Sequence, residues 1–184
     1  MHQASPLLDR APIWRTGAED APVNVVDRAF GSGDAIEDYP SQAGVLAMCA
    51  AFRNAGGISS ACEVGRLLEL NDRADFGRLA RLMIHGDIFG FEWHQTVWLP
   101  RFQFDDRNQS IKPGPRKVSN VLAAELDGWR LSAWFARKNR WLADRRPVDL
   151  LGSDLPAIVR AARADAFLWA AYATSPLCGR DKGT

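Results

Sequence analysis

An arginine pair followed by a proline, Arg145-Arg146-Pro147, interrupts the stretch NRWLADRRPVDLLGSDLPAIVRAA at 139–162. Guanidinium groups are planar forks that bond carboxylates bidentately and shed water more readily than an ammonium does. A pair of them at a chain corner is therefore suited to gripping a partner. Each arginine of the pair has two readings: a contact to another protein, or an internal ion pair with Asp144 or Asp149 that holds the turn. Groups for catalysis are sparse. The histidines are His2, His85 and His94, no G-x-S-x-G or H-E-x-x-H run occurs, and no glycine-rich loop follows a strand to cradle phosphate. Asp105-Asp106 is a carboxylate pair suited to acid–base work, yet its surroundings read more simply as the start of a polar loop. The cysteines Cys49, Cys62 and Cys178 are odd in number and lack a C-x-x-C pair, so neither a disulfide framework nor a cysteine zinc site is expected. The inventory predicts a binding protein rather than an enzyme, without a cofactor.

The elements that must carry these groups follow from pattern and punctuation. With 184 residues and 47% hydrophobic side chains, the chain suits one domain of ordinary size or two small ones. Neither a basic leader with an apolar core nor a run of ~18 apolar residues is present, which predicts an unexported cytoplasmic protein without a membrane contact. The formal net charge of +1 hides an asymmetry. Asp9, Glu19, Asp20, Asp27, Asp34, Glu37 and Asp38 make the first forty residues acidic, whereas arginines and lysines dominate between Arg101 and Arg146.

Residues 1–40, with four prolines and a GSG, read as an extended or partly disordered acidic arm, with VNVV at 23–26 a weak strand. Trp14 in this arm is expected to contact another chain, because a tryptophan outside a core concentrates at interfaces. From Ser41, Val45, Met48, Cys49 and Phe52 recur at helical spacing and stop at Gly56-Gly57. Ser60 three residues before Glu63 is a capping box for a second short helix. FGRLARLMIHG sets Phe76, Leu79, Ala80 and Met83 on one side and Arg78, Arg81 and His85 on another. Phe89, Phe91 and Trp93, then Trp98, Pro100, Phe102 and Phe104, alternate as the arms of a hairpin. Pro100 cannot donate to a ladder, which predicts a strand at an edge or near its end. The polar stretch DDRNQSIKPGPRK reads as a loop at the seam of two halves. Helices follow: Val118, Val121, Leu122 and Leu126 inward; then Leu131, Trp134 and Phe135; then, from Asp154, Ile158, Val159, Ala162, Ala166 and Trp169.

The capped helix, the turn, the helix closed by Gly86 and the hairpin resemble the winged helix-turn-helix of excisionase-like and MerR-like DNA-binding modules over about fifty residues. The resemblance implies operator DNA as a partner, with Arg78, Arg81 and His85 on a recognition helix and Arg66 and Arg73 reaching phosphates. A solvated arginine face is the competing reading, and Asp72, Asp75 and Asp87 would repel the same backbone. The segment 127–169 resembles the C-terminal toxin-binding domain of antitoxins of the Xre, MbcA and ParS type. Asn139, Leu142, Arg145, Arg146, Pro147, Leu150, Leu151 and Val159 stand at the family's places, and Asp144 stands where the family usually has Gly. Asp tolerates the left-handed backbone that Gly would supply.

That resemblance implies an antitoxin-like protein, commonly a homodimer, that silences a companion toxin. The toxin is often of the RES type, consuming NAD or transferring ADP-ribose. Partner-binding candidates are Asn139, Arg145, Arg146, Asp149, Arg163 and Arg180, with Leu177, Cys178 and Gly179 beside the last by position alone. The alternative is a DNA-binding regulator whose helical domain serves dimerisation. The expected fold is mainly α: an arm at 1–40, a helix-turn-helix with a small β-hairpin at 41–105, a helical bundle domain at 117–173 and a flexible tail at 174–184.

Overall fold

The computed structural model describes residues 36–68 and 73–173. Residues 1–35 of the arm, with VNVV and Trp14, and the tail with Arg180 lie outside the described residues; the end of the arm is described, and its Ile36 is buried in the core. The described chain is mainly α, with a small antiparallel sheet. Ser41 opens α1 (Gln42–Phe52) by accepting from the Gly44 amide at 3.1 Å, and left-handed Gly56 follows a short 3-10 turn at its end. Strand β1 (Ile58–Ser60) leads into α2 (Ala61–Leu67), and Ser60 doubles as its cap. The capping box is formed, the Glu63 carboxylate accepting from the Ser60 amide at 2.8 Å. Helix α3 (Arg73–Ile84) ends before Gly86 at φ 72°, and β2 (Phe91–Trp93) and β3 (Thr96–Pro100) follow.

The sheet order is β1-β3-β2, with Ile58 opposite Pro100 and Phe91 opposite Trp98. Two-residue hairpins of the favoured twist need positive φ at both central positions, and His94 and Gln95 adopt φ 49° and 58°. The strand carrying Pro100 is central rather than at an edge, because GGISS, which reads as a turn plus a cap, also supplies β1. Pro100 is tolerated as the strand's last residue.

A 3-10 turn (Arg101–Gln103) and the small hairpin β4 (Phe104–Asp105) and β5 (Ser110–Ile111) lead to α4 (Pro113–Leu122). This helix starts within the stretch that composition reads as loop; Pro113 and Pro115 sit in its first turn, where no helical N–H is missed. Helix α5 (Gly128–Ala136) is capped by Asp127, a 3-10 turn (Arg140–Leu142) and α6 (Pro147–Leu150) form the corner, and α7 (Leu155–Ala173) closes the chain.

One apolar cluster runs through both halves. Met48 and Phe52 of α1 meet Phe89, Phe91 and Phe102, which meet Val118, Leu122, Trp129, Phe135 and Ile158. Phe102 is central, its ring centroid 5.0 Å from Phe52 and 4.9 Å from Phe135. A smaller cluster of Val64, Leu79, Ile88, Leu99 and Phe104 lies under α2 and α3. Two close backbone approaches fix the junction. A Cβ on Gly128 would stand 1.8 Å from the Gly90 carbonyl oxygen, and one on Gly90 would stand 2.5 Å from that of Trp98. Buried Gln103 completes the junction, accepting from the Phe89 amide and donating to the Phe89 carbonyl, both at 2.8 Å, as a neighbouring strand would.

Candidate partner-binding surface

The corner at 139–147 is built by backbone and by one carboxylate. Asn139 caps the 3-10 turn, its side-chain oxygen accepting from the Trp141 amide at 2.9 Å. Its own amide donates to the Arg145 carbonyl at 3.0 Å, and its carbonyl accepts from the Asp144 amide at 3.1 Å. The loop closes through two left-handed residues, Ala143 at φ 53° and Asp144 at φ 58°, so Asp144 takes the conformation for which a glycine would be the default. Leu142 is buried beneath and Pro147 opens α6.

Asp165 of α7 locks this corner. It is 9% exposed and accepts three N–H bonds at 2.8 Å, from the Trp134 indole, the Asn139 side-chain amide and the Trp141 indole. A buried carboxylate is tolerated only when its oxygens are satisfied, and here three neutral donors do so without a cation. Sequence reading missed Asp165, although a signal exists. It is an acidic residue on the otherwise apolar stripe Ile158, Ala161, Ala162, Ala166 and Trp169.

The partner-binding candidates scatter around the lock. Asn139 is buried with its amide engaged at both ends. Arg146 makes a bidentate pair with Asp149, at 2.7 and 3.2 Å, which is the internal-pair alternative realised for that arginine. Arg145 is exposed, and among the described residues its side chain donates to the Leu142 carbonyl at 3.4 Å. Arg163 is exposed on the outer face of α7, and Arg180 lies outside the described residues.

That outer face is a stripe at i, i+4, i+7 and i+11: Pro156, Arg160, Arg163 and Phe167, the last 73% exposed. Shallow hollows flank Arg160 on both sides. One, of about 290 Å³, has a floor of Leu155, Pro156 and Val159 with Lys117 and Arg163 at its rim. The other, of about 270 Å³, is walled by Trp141, a residue 49% exposed whose ring carries the Arg140 guanidinium 4.9 Å from its centroid. Lys117 escaped the sequence reading because it joins Arg160 and Arg163 only through the packing of α4 on α7, whereas Arg160 stands one turn before Arg163 on the same helix, a spacing the sequence does carry.

The DNA-binding candidates lie apart from the corner in sequence. Arg66 on α2 and Arg78, Arg81 and His85 on and just after α3 are all exposed; Arg73 is the first residue of α3. Ala80 faces solvent instead of joining Leu79 in the core. Asp87 is drawn away by Arg116 of α4 at 2.5 Å.

Two carboxylates, exposed Glu63 and half-buried Asp105, have lowered pKa values. Glu63 is held down first by the Ser60 backbone N–H and then by the Ser60 hydroxyl, and Asp105 first by the Arg107 backbone N–H. Asp105 thus serves as the turn-former of the β4–β5 hairpin, also accepting from the Asn108 side chain at 3.1 Å. Asp106 pairs with Arg101 at 2.6 Å. No group of three or more metal-ligating side chains occurs among the described residues, and no described helix is long and apolar enough to cross a membrane. Comparison with known protein families, curated proteins and solved structures returned no match.

Proposed function

We propose that the chain is an antitoxin-like binding protein that neutralises a companion toxin through its C-terminal helical unit, 117–173, as a cytoplasmic homodimer. The carrying observation is the corner itself. Of the residues that resemble the Xre, MbcA and ParS toxin-binding pattern, Asn139, Leu142, Arg145, Arg146 and Pro147 stand in one corner, locked from beneath by Asp165 and bordered by the outer face of α7, while Leu150, Leu151 and Val159 follow in or between α6 and α7. A surface whose shape is fixed before binding loses less entropy on association. Within this reading Asn139 and the Arg146–Asp149 pair shape the corner, while Arg145 and Arg163 reach outward. A RES-type toxin that consumes NAD or transfers ADP-ribose is the expected partner. The test is co-expression with the neighbouring reading frame, followed by purification. A stable complex and relief of toxicity are expected; no complex with a neighbour that is harmless alone refutes the reading.

A second activity, operator binding, has its own support. The order α1-β1-α2-α3-β2-β3, with β3 between β1 and β2, resembles that of a winged helix-turn-helix, and α3 offers Arg78 and Arg81, with His85 just beyond it, to solvent. Duplex binding that weakens steeply with salt is expected, because each phosphate contact releases counterions. Unchanged affinity after charge reversal at Arg78 and Arg81 refutes the assignment of α3 as the recognition helix.

A further inference from the structure

We infer that the outer face of α7 between Trp141 and Phe167 is a docking surface for an acidic amphipathic helix presented by a partner protein. The inference deepens the reading above, on which it rests for the existence of a partner, by naming what that partner presents. Pro156, Arg160, Arg163 and Phe167 repeat at the spacing of a helix–helix seam, and a hollow lies on either side of Arg160 for side chains to enter. Charge selects the partner. Among the described residues Lys117, Arg160 and Arg163 enter no ion pair, and no carboxylate lines either hollow. The acidic residues of α7 and its cap are already engaged, Asp154 by the Ala157 amide at 3.0 Å and Asp165 by its three donors.

Chemistry also separates a protein helix from a phosphate backbone. The floor of the larger hollow is Leu155, Pro156 and Val159, and the face carries two exposed aromatic residues, Trp141 beside Arg160 and Phe167 toward its C-terminal end, from which the sugar–phosphate backbone of a duplex gains nothing. A helix with leucines along one edge and glutamates along both flanks matches the apolar floor and the cationic rim together. Trp141 is the anchor such a surface needs, because its indole N–H is fixed by Asp165 while the residue stays half exposed.

The probe is a fluorescein-labelled helical peptide of Glu, Leu and Ala with its leucines on one face, titrated with the full chain and read by anisotropy. Saturable binding is expected. It should weaken at least about tenfold for Arg160→Glu/Arg163→Glu, for Lys117→Glu, and when the peptide glutamates become glutamines. Arg78→Glu/Arg81→Glu should leave it unchanged, and circular dichroism checks that every variant is folded. No binding to the intact chain overturns the proposal, whether the face attracts no such helix or the chain's own acidic arm holds it. Equal binding by the Arg160/Arg163 variant, or displacement of the peptide by duplex DNA in the Arg78→Glu/Arg81→Glu background, overturns it too. If the peptide binds but the co-expressed neighbour does not, the toxin reading falls and this surface stands; if the neighbour co-purifies and the peptide fails to bind, this surface falls alone.

Discussion

Replacing Asp165 tests whether one carboxylate holds the corner. Asp165→Ala removes the acceptor for three donors. Two of them, the Trp134 indole N–H and the Asn139 amide, belong to buried side chains, whereas the Trp141 indole can turn to water. Each buried donor left unpaired costs about 1–3 kcal/mol, so the gross loss is about 2–6 kcal/mol. Against this, the folded state no longer has to strip water from a carboxylate, which offsets a large part and leaves a net loss of about 2–3 kcal/mol. Asp165→Asn keeps an oxygen for Trp134 and Asn139 but turns an N–H toward the Trp141 N–H, a half-exposed mismatch costing about 1 kcal/mol. In urea unfolding followed by circular dichroism, with a slope of about 2 kcal/mol/M, the midpoint should fall by about 1–1.5 M for Ala and about 0.5 M for Asn. An Ala midpoint within about 0.2 M of the parent would refute the lock. Equal losses for Ala and Asn would show that charge, not acceptor geometry, is what the corner requires.

Gly128→Ala places a Cβ 1.8 Å from the Gly90 carbonyl oxygen, a backbone atom that cannot rotate away; a loss of about 3 kcal/mol or more is expected in the same unfolding assay, while Gly152→Ala, with nothing near its Cβ, should change little. Gln103→Leu leaves the Phe89 N–H and carbonyl unpaired in the interior; a loss of about 2–4 kcal/mol is expected, and near-neutral stability would mean that the amide bridge is dispensable. Glu63 titrates lower in the folded chain than in the unfolded one, chiefly through the Ser60 N–H. Its support of the α2 cap is therefore fully present above the ordinary carboxylate pKa and lost as pH falls through the lowered folded value. Amide exchange in α2 that accelerates over that acidic window in the parent but not in Glu63→Gln is the expected result.

Signals that lie between neighbours along the chain are legible where the chain decides alone. Ser60 and Glu63 announce their capping box because both bonds span three residues. Alternating aromatics announce the hairpin, although its strands run only 91–93 and 96–100: the expected second arm breaks at Arg101, so Phe102 falls in a 3-10 turn and Phe104 pairs with Ile111 instead; Asp154 announces the start of α7. What escaped is set by partners far away in sequence. Ser59 and Ser60 become strand only because Leu99 and Trp98 lie opposite, and the strand that carries Pro100 is central for the same reason. Gln103 and Asp165 are polar side chains in apolar runs, a signal that marks them as engaged but does not name the partner. The sequence marks the corner residues, yet which of them shape the turn and which face solvent depends on α7 lying beneath.

The shared core gives the fold a property that the polar stretch at 105–117 would not lead one to expect. Phe102 lies before that stretch and Phe135 after it, with centroids 4.9 Å apart; Phe89 stacks on Phe135 at 5.5 Å, and Trp129 donates its indole N–H to the Glu37 carbonyl at 2.8 Å. Arg137 adds an ion pair to Asp38 at 3.0 Å, tying the segment before α1 to the end of α5. Unfolding either half alone would expose the aromatic faces of the other, including Phe52 and Phe135, which are fully buried. Burial of one such ring is worth about 1.5–3 kcal/mol, so an intermediate with one half open forfeits several of these at once. Calorimetry of the full chain should therefore give a single transition with equal calorimetric and van't Hoff enthalpies. Two resolved transitions, or a Phe102→Ala substitution that lowers only one of two steps, would mean that the halves fold separately and that the aromatic junction is a contact rather than a core.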